Sequence, residues 1–103
     1  MEYKVEVLEK AVKTYGCMHQ TIKATEELSE LLVVLNKWLG MSENENIAKF
    51  HAKHNIREEC ADVEIMLSQL KIIFGDCSGW TRYKMDRLED RINAINGTKE
   101  NDR

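Results

Sequence analysis

Two short acidic clusters carry the chemistry this sequence offers. Glu26-Glu27-Leu28-Ser29-Glu30 lies just ahead of the run Leu31-Leu32-Val33-Val34-Leu35, and Glu58-Glu59-Cys60-Ala61-Asp62 lies just ahead of Val63-Glu64-Ile65-Met66-Leu67. On a helix, positions i and i+3 lie about 60° apart around the axis, so Glu27 with Glu30, and Glu59 with Asp62, can each converge on one point. Both clusters also share a register. Glu27, Leu31, Val34 and Trp38 follow i, i+4, i+7, i+11, as do Glu59, Val63, Met66 and Leu70. A carboxylate standing in an apolar ladder is costly unless it is paired, hydrogen-bonded or bound to a cation. With no basic residue evident in the same register, one divalent ion held by Glu27, Glu30, Glu59 and Asp62 satisfies all four. Oxygen-only ligation favours a hard ion, Mg²⁺ or Mn²⁺. One acidic cluster alone reads as a solvated helix face; the repeated register is what favours a metal site.

Helices must position these acids. Val5, Leu8, Ala11, Val12 and Tyr15 recur at helical spacing before Gly16, and a second helix is expected from about His19 to Leu39. Its apolar stripe reads as Leu28, Leu31, Leu32, Leu35, Trp38 and Leu39, with Gly40 as the stop. Ser42 with Glu45 has the spacing of a capping box for a third helix, expected over about 47–74 with a break near His54 and Asn55. After the turn Gly75-Asp76-Cys77-Ser78-Gly79, a fourth helix from about Trp80 to Ile95 is expected to turn Met85, Leu88, Ile92 and Ile95 inward. These elements imply an all-α single domain over residues 1–96, arranged as a four-helix bundle, and a polar, disordered tail over 97–103.

Composition sets outer limits. The 103 residues carry a net charge of −3, which argues against broad binding of nucleic acid or of an anionic membrane surface. No apolar stretch approaches a membrane span, and the N-terminus has no signal-peptide pattern. Cys17, Cys60 and Cys77 are odd in number and widely spaced, which suits a reducing cytoplasm. Cys60 reads as a small buried residue rather than a nucleophile, and His51-x-x-His54 as surface histidines rather than metal ligands. Met66, Leu70 and Ile73 read as core. Val33, Ile72 and Phe74 fall outside or at the margin of the main stripes, so an assembly of at least two copies is expected.

The ordered pattern Glu27-x-x-Glu30, then Glu59-x-x-Asp62, resembles the ExxE and ExxD signature of the MazG-like nucleotide pyrophosphohydrolases. The likeness extends over roughly residues 11 to 95, through "TYGCMHQTIKATEELSELLVVLNKW", "EECADVEIMLSQLKIIF" and "YKMDRLEDRI", and is loosest at "NENIAKFHAKHN". The resemblance implies a MazG-type all-α fold, a homodimer or homotetramer, and Mg²⁺-dependent hydrolysis of a (deoxy)nucleoside triphosphate to the monophosphate and pyrophosphate. Beside it, Glu26 is a candidate general base or a surface glutamate. Lys84 and Arg87 are candidates to bind the phosphate tail or are ordinary surface charge. Gln20 resembles a family glutamine near the nucleotide, with a solvent-facing glutamine as the other reading. Trp38 reads as core, or as a residue flanking a base. A catalytically silent nucleotide-binding or oligomerisation module is the alternative to an enzyme. A di-iron bundle is disfavoured because the i+3 positions are Glu30 and Asp62 where Glu-x-x-His is required.

Overall fold

A computed structural model describes residues 4–101 of the chain and is helical throughout, with four elements: α1 (Val5–Tyr15), α2 (Cys17–Leu39), α3 (Asn46–Phe74) and α4 (Ser78–Asn101). Glycine sets two of the three junctions. Gly16 alone separates α1 from α2 at φ 92°, and Gly75 ends α3 at φ 110°, a left-handed region that side chains with a Cβ rarely enter. Gly40 ends α2 differently. It stays right-handed, and its N–H reaches back to the carbonyls of Asn36 and Lys37.

Two expectations about α3 change. The Glu45 carboxylate accepts a hydrogen bond from the Ser42 N–H at 3.2 Å, but the helix begins at Asn46 and no side chain caps its first turn, so only half of the capping box forms. The expected break at His54 and Asn55 is absent. No glycine or proline lies between Asn46 and Phe74, so the polarity of this stretch marks exposure rather than interruption; Ala52 turns inward while His51, His54 and Asn55 stay exposed. α4 starts earlier than expected because Asp76 accepts hydrogen bonds from the Ser78 N–H and the Ser78 hydroxyl. It continues past Ile95 to Asn101, so residues 97–101 of the expected tail are helical and residues 102–103 lie outside those described.

The core sits between α2 and α3, which run antiparallel across the short turn joining them, with α1 laid against both. Leu8 and Val12 of α1, Ala24 of α2, and Ala52, Val63 and Met66 of α3 are its buried apolar residues. α2 meets α3 along Gln20, Ala24, Glu27, Leu31, Val34 and Trp38, the face that contains the first acid ladder. The leucine stripe turns elsewhere. Leu28, Leu32, Leu35 and Leu39, expected to be buried, are exposed, because around the helix they lie to one side of the α3 contact.

Among the described residues, α4 packs against none of the other three helices. Met85, Leu88, Ile92 and Ile95, expected to face inward, are therefore exposed, as are Val33, Ile72 and Phe74. The chain on its own is a three-helix unit with a projecting fourth helix rather than a closed four-helix bundle. Its radius of gyration, 18.4 Å, exceeds the roughly 13 Å of a compact domain of this length.

Candidate acidic site between α2 and α3

The two acid ladders meet where their register requires. Glu27 and Glu30 come from α2, one turn apart, and Glu59 comes from the facing stretch of α3; each offers a carboxylate oxygen, and the three oxygens all lie within 4.8 Å of one another. Glu27 is 9% exposed, Glu59 half-buried and Glu30 exposed, so the cluster grades from core to solvent. Asp62, also half-buried, stands outside this trio but near enough for its charge to act on Glu59. An open groove lined by Ser29, Glu30, Val33, Val34 and Glu59 leads from solvent to the acids.

The electrostatics are unfavourable as they stand. Burial pushes the Glu59 carboxyl above its ordinary range, and the like charges of Glu30, Asp62 and Glu27 push it further. One oxygen each of Glu27 and Glu59, the Oε2 atoms, is buried without a hydrogen-bond partner. A buried, unpaired carboxylate oxygen is destabilising unless a cation or proton completes it. An all-carboxylate donor set open on one side suits a hard divalent cation that keeps part of its water.

One basic residue attends the cluster. Lys23, four residues before Glu27, places its ammonium 3.3 Å from Glu27 Oε1 and 3.6 Å from Glu26 Oε2. Its hydrogen bond to Glu27, then the charges of Glu27 and Glu26, hold its pKa above the ordinary lysine value. The expectation that Glu27 lacks a basic partner is thus corrected by a residue whose signal was the i, i+4 spacing.

Other expected site residues fall in different places. Glu26 is exposed beside Lys23 and outside the carboxylate trio. Gln20 is 5% exposed and points into the α2–α3 seam: its amide nitrogen donates to Gln69 Oε1 at 2.7 Å, and its carbonyl oxygen lies 2.7 Å from His19 Nδ1. Gln69, 4% exposed, donates in turn to Met66 Sδ at 3.6 Å. Both ends of the Gln20 amide are therefore taken up within the chain. Lys84 and Arg87 line a shallow basic groove with Arg91 on α4, and the Arg87 guanidinium lies over the Tyr83 ring at 5.7 Å. Within one chain α4 does not bring them to the acids. Trp38 is half-buried at the far end of α2, with Lys49 over its ring at 5.7 Å and its indole N–H buried without a partner. Cys60, read as buried, is exposed, since it falls on the outer side of α3 while Glu59 and Val63 turn in.

Comparison with protein-family models, with curated proteins and with solved structures finds no match to this chain.

Proposed function

We propose that the protein is a divalent-cation-dependent nucleoside triphosphate pyrophosphohydrolase that cleaves (deoxy)nucleoside triphosphates between the α and β phosphates. The observation that carries this reading is the meeting of Glu27, Glu30 and Glu59, where Glu27 Oε2 and Glu59 Oε2 are buried without a hydrogen-bond partner among the described residues. The resemblance of the ordered acid pairs to MazG-like enzymes supplies the reaction.

In this reading Glu27, Glu30, Glu59 and the neighbouring Asp62 hold Mg²⁺, with Mn²⁺ as a substitute. The bound ion supplies charge neutralisation of phosphate oxygens and orientation of a water molecule. Glu26, on the solvent side, accepts the proton of the attacking water. Gln20 acts at one remove, holding α2 against α3 so that the acids stay level. Lys84 and Arg87 reach a triphosphate bound at the acids of a second copy, which makes the working assembly a homodimer or a pair of dimers. The apolar stripes left open on α2 and α4 are the surfaces such an assembly covers. The three cysteines act as free thiols in a cytoplasmic protein.

The test is a panel of ribo- and deoxynucleoside triphosphates incubated with Mg²⁺ and assayed for pyrophosphate. Pyrophosphate with a nucleoside monophosphate, and loss of activity in EDTA, is the expected result. Orthophosphate as the first product, or full activity in excess EDTA, overturns the reading. Binding of a triphosphate with no turnover across the panel identifies a catalytically silent module instead.

A further inference from the structure

We propose that Lys23 is a phosphate-binding residue of the acidic site, an inference that rests on the cation-dependent reading above. A site built from carboxylates alone repels a polyanion, so it needs positive charge from the protein as well as from a cation. Lys84 and Arg87 do not reach the acids within their own chain, whereas the Lys23 ammonium already lies 3.3 Å from Glu27 Oε1. The same ammonium touches Glu26 at 3.6 Å, and the lysine side chain is 46% exposed, so it stands at the rim with its charge accessible to a ligand arriving from solvent.

The cluster it attends is more than an acidic patch, since Glu27 is 9% exposed and its Oε2 is buried without a partner. Glu27 thus has one oxygen held by Lys23 and one oxygen free. Once a cation satisfies Glu27, the lysine is released from its role as counter-ion, and its three N–H donors turn to phosphate oxygens. A flexible four-carbon stem suits this exchange better than a rigid fork.

Removing Lys23 therefore has opposite effects on two ligands, a pattern that loss of structure does not produce. Full-length wild type, Lys23→Met and Lys23→Arg are titrated by calorimetry, first with Mn²⁺ alone and then, in Mg²⁺, with a triphosphate whose α–β bridge is a non-hydrolysable methylene. Lys23→Met is expected to bind Mn²⁺ about threefold more tightly, because a competing positive charge is gone. It is expected to bind the analogue about tenfold more weakly, the loss of one charge-assisted contact. Lys23→Arg, which keeps the charge, is expected to stay within about threefold of wild type for the analogue. Unchanged analogue binding by Lys23→Met makes the lysine a surface ion pair and overturns the proposal. Parallel weakening of both ligands makes it a structural residue and overturns it equally. Wild-type protein that binds no Mn²⁺ refutes the metal reading itself, and the role of Lys23 falls with it.

Discussion

Glu59 is where burial and repulsion concentrate, and it is the most informative residue to change. Its folded-state pKa is raised, so the folded protein holds the Glu59 proton to higher pH than the unfolded chain does. The favourable contribution is complete below the unfolded value, near 4.5, and is lost as pH rises through the raised folded value. In EDTA above that window, Glu59→Gln is expected to be as stable as wild type or more stable, and to gain less from Mg²⁺ than wild type does. Thermal midpoints of both proteins across pH, with and without Mg²⁺, check this. Equal loss of stability in both conditions with activity retained makes Glu59 a structural residue. Gln20 gives a contrasting case. Gln20→Leu strands the Gln69 amide in the seam and is expected to cost about 1–3 kcal/mol in urea unfolding, while replacing both glutamines by leucine recovers part of that loss. The approach of Glu27, Glu30 and Glu59 was legible from spacing because i, i+3 carboxylates in a repeated apolar ladder are a local pattern, whereas Asp62, expected in the same set, stands outside the trio. Lys23 was hidden because an i, i+4 lysine before a glutamate looks like any helix surface. Gln69 was hidden because its partner lies 49 residues away, beyond any local pattern.

The number and order of the four helices were readable for the same local reason, from apolar periodicity and glycines, although α3 runs without its expected break and α4 extends past its expected limits at both ends. What covers each apolar stripe was not readable. Amphipathic spacing says that a face seeks cover, without saying whether its own chain supplies it. Leu28, Leu32 and Leu35 on α2, and Leu88 and Ile92 on α4, have the pattern of core residues and are exposed in the single chain. Leu88→Gln and Ile92→Gln discriminate between the possible outcomes. In an isolated chain each changes stability little, because the side chain is already in water. In an assembly that buries α4, each is expected to cost on the order of 1.5–3 kcal/mol of association, seen as a shift toward monomer in sedimentation equilibrium while far-ultraviolet circular dichroism stays helical.

At the scale of the whole molecule, the small core and the extended outline point the same way. Among the described residues, six buried apolar side chains, two of them alanines, make a thin core, and the principal extents are 58 × 39 × 23 Å. In the proposed assembly, a second copy covering the α2 and α4 stripes supplies the missing burial. Sedimentation velocity at assay concentration is expected to show a species of at least twice 12.0 kDa, and dilution is expected to lower the thermal midpoint. A single 12.0 kDa species that keeps full activity contradicts the assembly and, with it, the route by which Lys84 and Arg87 reach the acids.

The hydrogen bond between Gln20 and Gln69 also governs which changes of length the chain tolerates. It lies two turns, about 10 Å, along α2 from Glu27 and, with the packed face around it, holds the register of α2 on α3 apart from the turn that joins them. Residues inserted between Gly40 and Glu45 are therefore expected to leave the acids opposite one another, because the α2–α3 seam, the glutamine pair included, holds their alignment. A single residue deleted between Gln20 and Glu27 does the reverse. With the seam held by the glutamines, it swings Glu27 about 100° around its helix, and the carboxylates no longer share a centre. The stretch from 20 to 30 is thus closed to insertions and deletions, while the turn some ten residues further on is free to grow.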